Sequence, residues 1–503
     1  MAENNNIIIS PTVSKNHLDS LDSNSLDHQE PVLTDYESKK LDRIYFRLDC
    51  RIIPALWCLY FLSSFGSSAY GNTLTMNYKD GHSLEQSLGL NPHQLSVASA
   101  LYYVSFIIFD LPMNLAMTRL PPQIWLARII ISVGLVYCCY TALSTPGGLI
   151  AIRFISGLCG AGVWPGMAFY ISLWYPSHRS AKRIGYYFTA AQISAAVAGL
   201  VSAGFQKIDG NRGYYGWQWL FLTYGLITIA VGISLVWWLP DRPNTSENIG
   251  QISVNRFEAK LHNLFPKNPY PLNEVDADIH MKDVESHTKR KFDWNAKDLL
   301  AVMKDVRIWP LIMMYFGVVG TGFGLAVFGT TIIKTNNPSL SDIDVSLLYA
   351  PIWLFDLGGI LTLTPFADRY KKYRGLVFSF ACCIIICGLC VTTYAKGDWS
   401  RYGGLLIAGY GLGPTVPICM AWSAEIFQPR HGDVGTAAAS ALVSGLGNLG
   451  SVMATYALYS GWPADKERMY RDSNMILVLI TGISMIASFS CYALRKFLGD
   501  FDK

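Results

Sequence analysis

Charge is scarce in this 503-residue chain: Asp, Glu, Lys and Arg make up 15% of it, against roughly a quarter of a soluble domain. With 51% apolar residues and a mean hydropathy of +0.26, the composition excludes an ordinary soluble globule and points to a bilayer. A basic block is missing too, and the net charge of +4 is spread over short clusters, so nucleic acid is not an expected partner. No cleavable signal peptide is evident: residues 1–40 are polar, rich in Asn, Ser and Asp, and read as disordered. The eleven cysteines lie in or beside apolar stretches, which argues against a disulfide framework. Cys382, Cys383, Cys387 and Cys390 lack His or carboxylate neighbours, so they read as small buried side chains rather than a metal site. Walker loops, dinucleotide fingerprints, His-Glu-x-x-His and Gly-x-Ser-x-Gly are all absent. An enzyme is therefore not expected, nor a cofactor or metal, and any solute movement must follow or be coupled to a gradient.

What the chain has instead is long apolar runs. A bilayer crossing needs about 20 mostly apolar residues. Such runs fall at 52–76, 94–118, 124–143, 148–174, 184–206 and 218–239, then at 308–333, 343–366, 375–394, 402–424, 433–459 and 474–495. The expected fold is an all-α integral membrane protein with twelve transmembrane helices in two pseudo-symmetric six-helix bundles. The expected boundaries are a cytoplasmic disordered tail (1–48), a first bundle (49–239), a linker (240–307), a second bundle (308–496) and a short tail (497–503). The linker carries Pro240, Pro243, Pro266, Pro269 and Pro271, then Lys289-Arg290-Lys291, and Asp293–Lys304 reads as a surface helix. Positive residues in the short loops divide almost evenly between the two sides. The flanks decide the orientation: Lys39, Lys40, Arg43, Arg47 and Arg51 precede the first span, and Arg495-Lys496 follow the last. Both termini and the linker are therefore expected in the cytoplasm.

The halves echo each other. Gly157, Gly160, Gly162, Pro165 and Gly166 in the fourth span answer Gly409, Gly411, Gly413, Pro414 and Pro417 in the tenth. Small residues allow close helix approach, and Gly or Pro lets a span bend.

Charge inside a span is costly, so each instance is a candidate for function. Arg153, near the start of the fourth span, offers a permanent planar fork of donors that matches a carboxylate; a structural ion pair is its alternative. Asp110 and Asp356 read as proton-coupling or gating groups, and Glu425 as a surface or gate charge. Gln192 and Asn448, flanked by small residues, are placed to bond a ligand or a neighbouring helix. Tyr102, Tyr103, Tyr349 and Trp422 are candidates for a cavity wall or for packing.

Read in order, several stretches resemble the anion:cation symporters of the major facilitator superfamily, in their fungal allantoate permease branch. They are Asp110-Leu-Pro112-Met-Asn114 followed by Arg119, and Arg153-Phe154, Gly157, Pro165-Gly166, Tyr170 and Trp174-Tyr175. Gly216–Phe221, Phe292-Asp-Trp294 with Trp309, and Asp368-Arg369-Tyr-Lys-Lys-Tyr-Arg-Gly375 complete the set. The resemblance covers roughly residues 50–495. It implies the major facilitator fold, alternating access, and a small organic anion such as nicotinate, pantothenate, biotin or allantoate as substrate. It further implies a monomer in the plasma membrane, with membrane lipid around it and protons as the coupling ion. On this reading Arg153 takes the ligand's carboxylate and Gln192, Asn448, Tyr102 and Trp422 complete the site, while Arg119, Asp368 and Arg369 lock the inner face. Two departures stand out. Gly66-Ser67 replace the Asp-Arg that members carry in the first span, and Gly160 replaces the Glu that follows the Arg of the fourth. Either coupling has passed to Asp110 or Asp356, or the chain is a uniporter of a neutral or weakly acidic solute. A ligand sensor without net flux is the third reading.

Overall fold

The computed structural model describes residues 35–243, 271–287, 296–370 and 373–497, and the regular elements among them are all helical. Inside a bilayer no water is present to satisfy backbone N–H and C=O groups, so each apolar run closes its own ladder as a helix. The first half holds α1 (Asp35–Thr73), α2 (Pro92–Arg119), α3 (Pro122–Cys139), α4 (Pro146–Gly160), α5 (Val163–Trp174), α6 (Ser177–Gln206) and α7 (Gly216–Trp238). Between the halves lie α8 (Glu274–His287) and α9 (Ala296–Lys304). The second half holds α10 (Ile308–Asn336), α11 (Asp342–Arg369), α12 (Arg374–Tyr394), α13 (Asp398–Leu412), α14 (Thr415–Gly447), α15 (Leu449–Ala457) and α16 (Arg471–Phe497). Proline opens α2, α3 and α4, where its missing N–H would have no partner anyway.

Among the described residues, ten helices are long and apolar enough to cross a membrane. The helix α2 and the return arm of α14 with α15 complete twelve crossings, six in each half. A straight helix of the 33 residues of α14 would be about 50 Å long. Val416 and Ser444, near its two ends, line the same cavity, whereas Glu425 meets Arg374 and Arg495. The segment therefore descends to one face and comes back.

Several expectations change. The first helix starts at Asp35 rather than near Ile52, because Leu41, Ile44, Tyr45 and Leu48 recur at helical spacing and are buried. Of the expected tail, 1–34 lies outside the described residues, as do 244–270, 288–295 and 498–503. The fourth span, expected as one run, breaks into α4 and α5 at Gly162, whose φ of +84° suits glycine. The tenth breaks at the matching place, between α13 and α14 at Gly413-Pro414.

The linker is not a free tether. In α8 Ala277, Met281 and Val284 are buried at i, i+4 and i+7, a pattern present in the sequence but overshadowed by the surrounding charge. Around them Tyr45 donates to Asp283 (2.5 Å), Asp276 takes Lys40 (3.1 Å) and Arg47 (3.4 Å), and a His280 ring nitrogen lies 2.8 Å from the Trp174 carbonyl oxygen. These contacts fix α8 to the first half. The surface helix expected at Asp293–Lys304 appears as α9, whose Val302 packs into the core of the second half.

This face, with α8, α9 and the outer ends of α1 and α16, is called the linker face below. One apolar core runs through the first half and on into Leu325–Ile333 and Val345–Trp353 of the second. A separate core, from Val302 and Ile308 to Cys491, fills the linker-side part of the second half. The halves are thus joined away from the linker face and parted towards it.

Candidate functional site

Between the halves, at the depth where α4/α5 and α13/α14 break, lies a cavity of about 220 Å³. The first half contributes Ser63, Ser64, Ser67 and Ser68 of α1, Tyr102 and Tyr103 of α2, and Gln192 of α6. The second contributes Tyr315, Trp353, Asp356, Ser444 and Asn448. Glycines make this geometry possible. A Cβ at Gly157 would lie 2.1 Å from the Tyr102 carbonyl oxygen, and one at Gly413 would lie 2.1 Å from that of Asp356. Thus α4 packs on α2 and α13 on α11 at backbone contact, each pair aiming a polar side chain into the cavity.

Of the residues expected in the site, Gln192, Asn448 and Tyr102 line the cavity, and Asp356 joins them. Asp356 is 1% exposed; its Oδ2 has no hydrogen-bond partner, and the Gln192 amide approaches its carboxyl group. Arg153 does not reach the wall. Its guanidinium lies 3.9 Å from the centre of the Tyr70 ring and 4.6 Å from that of Tyr102, and Nε donates to the Ala98 carbonyl (3.2 Å). Tyr102 covers it, so its charge acts on the cavity through an aromatic ring. Trp422 is buried against Gly375 in the linker-side core, away from the cavity.

Asp110 sits at the break of the fourth span. Its Oδ1 accepts the Gly162 N–H (3.0 Å), which is the first free donor ahead of α5. In this position the carboxylate serves the helix end. Arg369 is exposed at the end of α11, while the side chains of Arg119 and Asp368 lie outside the described residues. Glu425 bridges Arg374 (2.6 Å) and Arg495 (3.4 Å) at the linker face.

On the opposite face the halves are locked together. Asp342 accepts the Lys79 backbone N–H (2.9 Å) and pairs with Lys334 (2.6 Å). Gln206 donates to Ser346 (2.8 Å), and Thr330 donates to the Gly71 carbonyl (3.0 Å). Nearby, in a one-turn helix at Leu84–Ser87, burial pushes the Glu85 carboxyl above its ordinary value while Lys466 pulls the other way. Lys79 also donates through its ammonium to the Leu340 carbonyl, and Gln206 to that of Asp342, so several hydrogen bonds tie the halves on this side. Sequence reasoning missed both the lock and the serines of α1. The serines carried a signal, a polar pair repeated one helical turn on within an apolar helix; Asp342 falls just outside the span expected at 343–366, where an acid is unremarkable. No group of three or more His, Cys, Asp or Glu converges among the described residues, and the eleven cysteines are free.

A mostly apolar cavity with a few polar side chains, halfway through a twelve-helix membrane protein, walled by both halves and shut on one side, is a carrier's geometry. The Major Facilitator Superfamily pattern matches residues 56–455. The chain belongs to that superfamily. It is 46% identical over 465 residues to Vitamin H transporter 1 of Schizosaccharomyces pombe, covering 91% of this chain and 81% of that one. It is 24% identical over 457 residues to a putative tartrate transporter of Agrobacterium vitis, covering 90% and 95%. Among solved structures, a bacterial homolog of the human lysosomal transporter Spinster, inward-facing and unoccupied, superposes with a TM-score of 0.63 at 15% identity, covering 93% and 98%. The xylose transporter XylE of E. coli, partially occluded and inward open, gives 0.62 at 11%, covering 87% and 97%. These two establish the fold. The superfamily member described here is therefore a membrane transporter and not an enzyme, acting on a small-molecule substrate.

Proposed function

We propose that this transporter carries a small organic carboxylate of the vitamin H (biotin) kind across the plasma membrane by alternating access, as a symporter. The carrying observation is the cavity itself. Gln192 and Asp356, one from each half, face each other in it, and a relative 46% identical over most of the chain is a vitamin H transporter. The carboxylate end of the ligand is assigned to Tyr102 and the serines of α1, in the field of Arg153 behind the Tyr102 ring. Asn448 takes a further polar group. Asp356 replaces the missing acids of the first and fourth spans as the coupling group, and Arg369 with Arg119 and Asp368 forms the lock used when the cavity opens outward. The positive flanks Arg43, Arg47, Arg51 and Arg495-Lys496 support a cytoplasmic linker face, which makes the present arrangement inward-facing. One chain supplies the whole wall, in keeping with a monomeric carrier.

A second reading is favoured by one observation: among the described residues, the wall holds no Lys, Arg or His. A neutral solute moving by facilitated diffusion suits such a wall. Uptake of labelled biotin and nicotinate, at pH 5 and pH 7.5 with and without an uncoupler, separates the two. Saturable biotin uptake that collapses with the uncoupler supports symport of an anion. Uptake indifferent to the uncoupler, and competed by neutral analogues alone, supports the facilitator.

A further inference from the structure

Two acceptors in the cavity have no donor. Asp356 Oδ2 and Gln192 Oε1 are both buried, in side chains 1% and 8% exposed, and neither has a hydrogen-bond partner. They belong to α11 and α6, on opposite sides of the division between the halves, and both line the cavity. A buried acceptor left without a donor is costly, and a carboxylate more so than an amide. The wall does not repair the shortage: its unpaired donors, the Trp353 indole N–H and the Tyr103 hydroxyl, bond neither acceptor, and among the described residues Asp356 is the one charged side chain lining the cavity. The donors must therefore come from what enters.

The surroundings narrow the chemistry further. Two acceptors at close quarters ask for two adjacent N–H groups. Arg153, 4.6 Å from the centre of the Tyr102 ring, places behind the neighbouring wall a positive charge that offsets the Asp356 carboxylate, which leaves no net charge in this small space to draw in a full cation. A neutral group with paired N–H donors meets both conditions, as a cyclic urea does. We propose that Asp356 and Gln192 form the subsite for the neutral N–H pair of a biotin-like substrate, its ureido head. The same contact ties α11 to α6, so the head group bridges the two halves while the carboxylate arm lies towards Tyr102 and the serines of α1.

The inference rests on the proposed function, and one binding experiment separates the two. The purified full-length transporter is tested with labelled biotin, and with unlabelled desthiobiotin, lipoic acid and 2-iminobiotin as competitors. Desthiobiotin keeps the ureido ring without the sulfur ring. Lipoic acid keeps the carboxylate arm and a sulfur ring without the urea. 2-Iminobiotin carries the same donors with a positive charge. Desthiobiotin is expected to compete about as well as biotin, and lipoic acid and 2-iminobiotin at least about thirtyfold worse. Asp356→Ala and Gln192→Ala are expected to lose biotin affinity about thirtyfold or more and to narrow its advantage over lipoic acid. Asp356→Asn, which keeps the shape, gives the same reading should the alanine variant fail to fold. If biotin binds the Asp356→Asn and Gln192→Ala variants as tightly as the wild type, the subsite is wrong while the proposed function stands. If 2-iminobiotin outcompetes biotin, the site is one for cations and the inference falls. If the wild type binds none of the four compounds, the proposed function fails and takes the subsite with it.

Discussion

Arg153 shows what a single residue can and cannot reveal. Its type and place announced a buried cation inside a span, and that much holds: it is 1% exposed. Its partners were not legible, because Tyr70 and Tyr102, whose rings take up its charge, come from two other helices. A lysine is a point charge and cannot lie flat against those rings while donating to Ala98. Arg153→Lys should therefore weaken uptake about tenfold and lower the melting temperature, through loss of contacts worth about 1–2 kcal/mol. Saturation uptake and a melting curve check both effects. An unchanged melting temperature would mean that the stacking is not what holds the arginine.

At the scale of elements, the break between α4 and α5 depends on two residues from different helices. Gly162 supplies a left-handed backbone, and Asp110 supplies the acceptor for its N–H. Asp110→Ala should cost about 1 kcal/mol, as loss of a helix N-cap does, and Asp110→Asn less because it keeps a carbonyl oxygen. Thermal unfolding in detergent reads this directly. Should Asp110→Asn abolish uptake with no change in melting, Asp110 would be a proton carrier rather than a cap. The helix α8 gives a second test. With Tyr45→Phe and Asp276→Ala combined, α8 loses its bond to Tyr45 and its partner for Lys40 and Arg47. Limited proteolysis should then cut the linker faster than in the wild type; equal rates would show that Ala277, Met281 and Val284, with the His280–Trp174 contact, suffice to hold α8.

For the molecule as a whole, the question is how the halves close. Gly71 of α1 meets α10 at backbone contact, and a Cβ there would lie 2.4 Å from the Ala326 carbonyl oxygen. Gly71→Val should keep the opposite face from closing and stop uptake, yet leave a folded protein with that face more open to thiol-reactive probes. Asp342→Asn should act in the same direction but more weakly, since Gln206–Ser346 and Thr330–Gly71 remain. Normal uptake by Gly71→Val would show that closure does not need this contact.

The sequence by itself determined the twelve crossings and the division into halves, because apolar run length is a local property that the bilayer reads directly. It also marked the bending points, since Gly162 and Gly413-Pro414 act through their own backbones. Gln192, Asn448, Tyr102 and Asp356 stand out in the sequence as polar groups in apolar spans. The tertiary structure alone decided which of them share a cavity, that Trp422 lies elsewhere, and that Asp110 serves a helix end. It also revealed the lock of Asp342 with Lys79 and Lys334, two residues of the second half and one of the first. Those outcomes depend on which helix faces which. Helix packing in a bilayer is set by close steric contact across long sequence separations, and no local pattern in the chain encodes it.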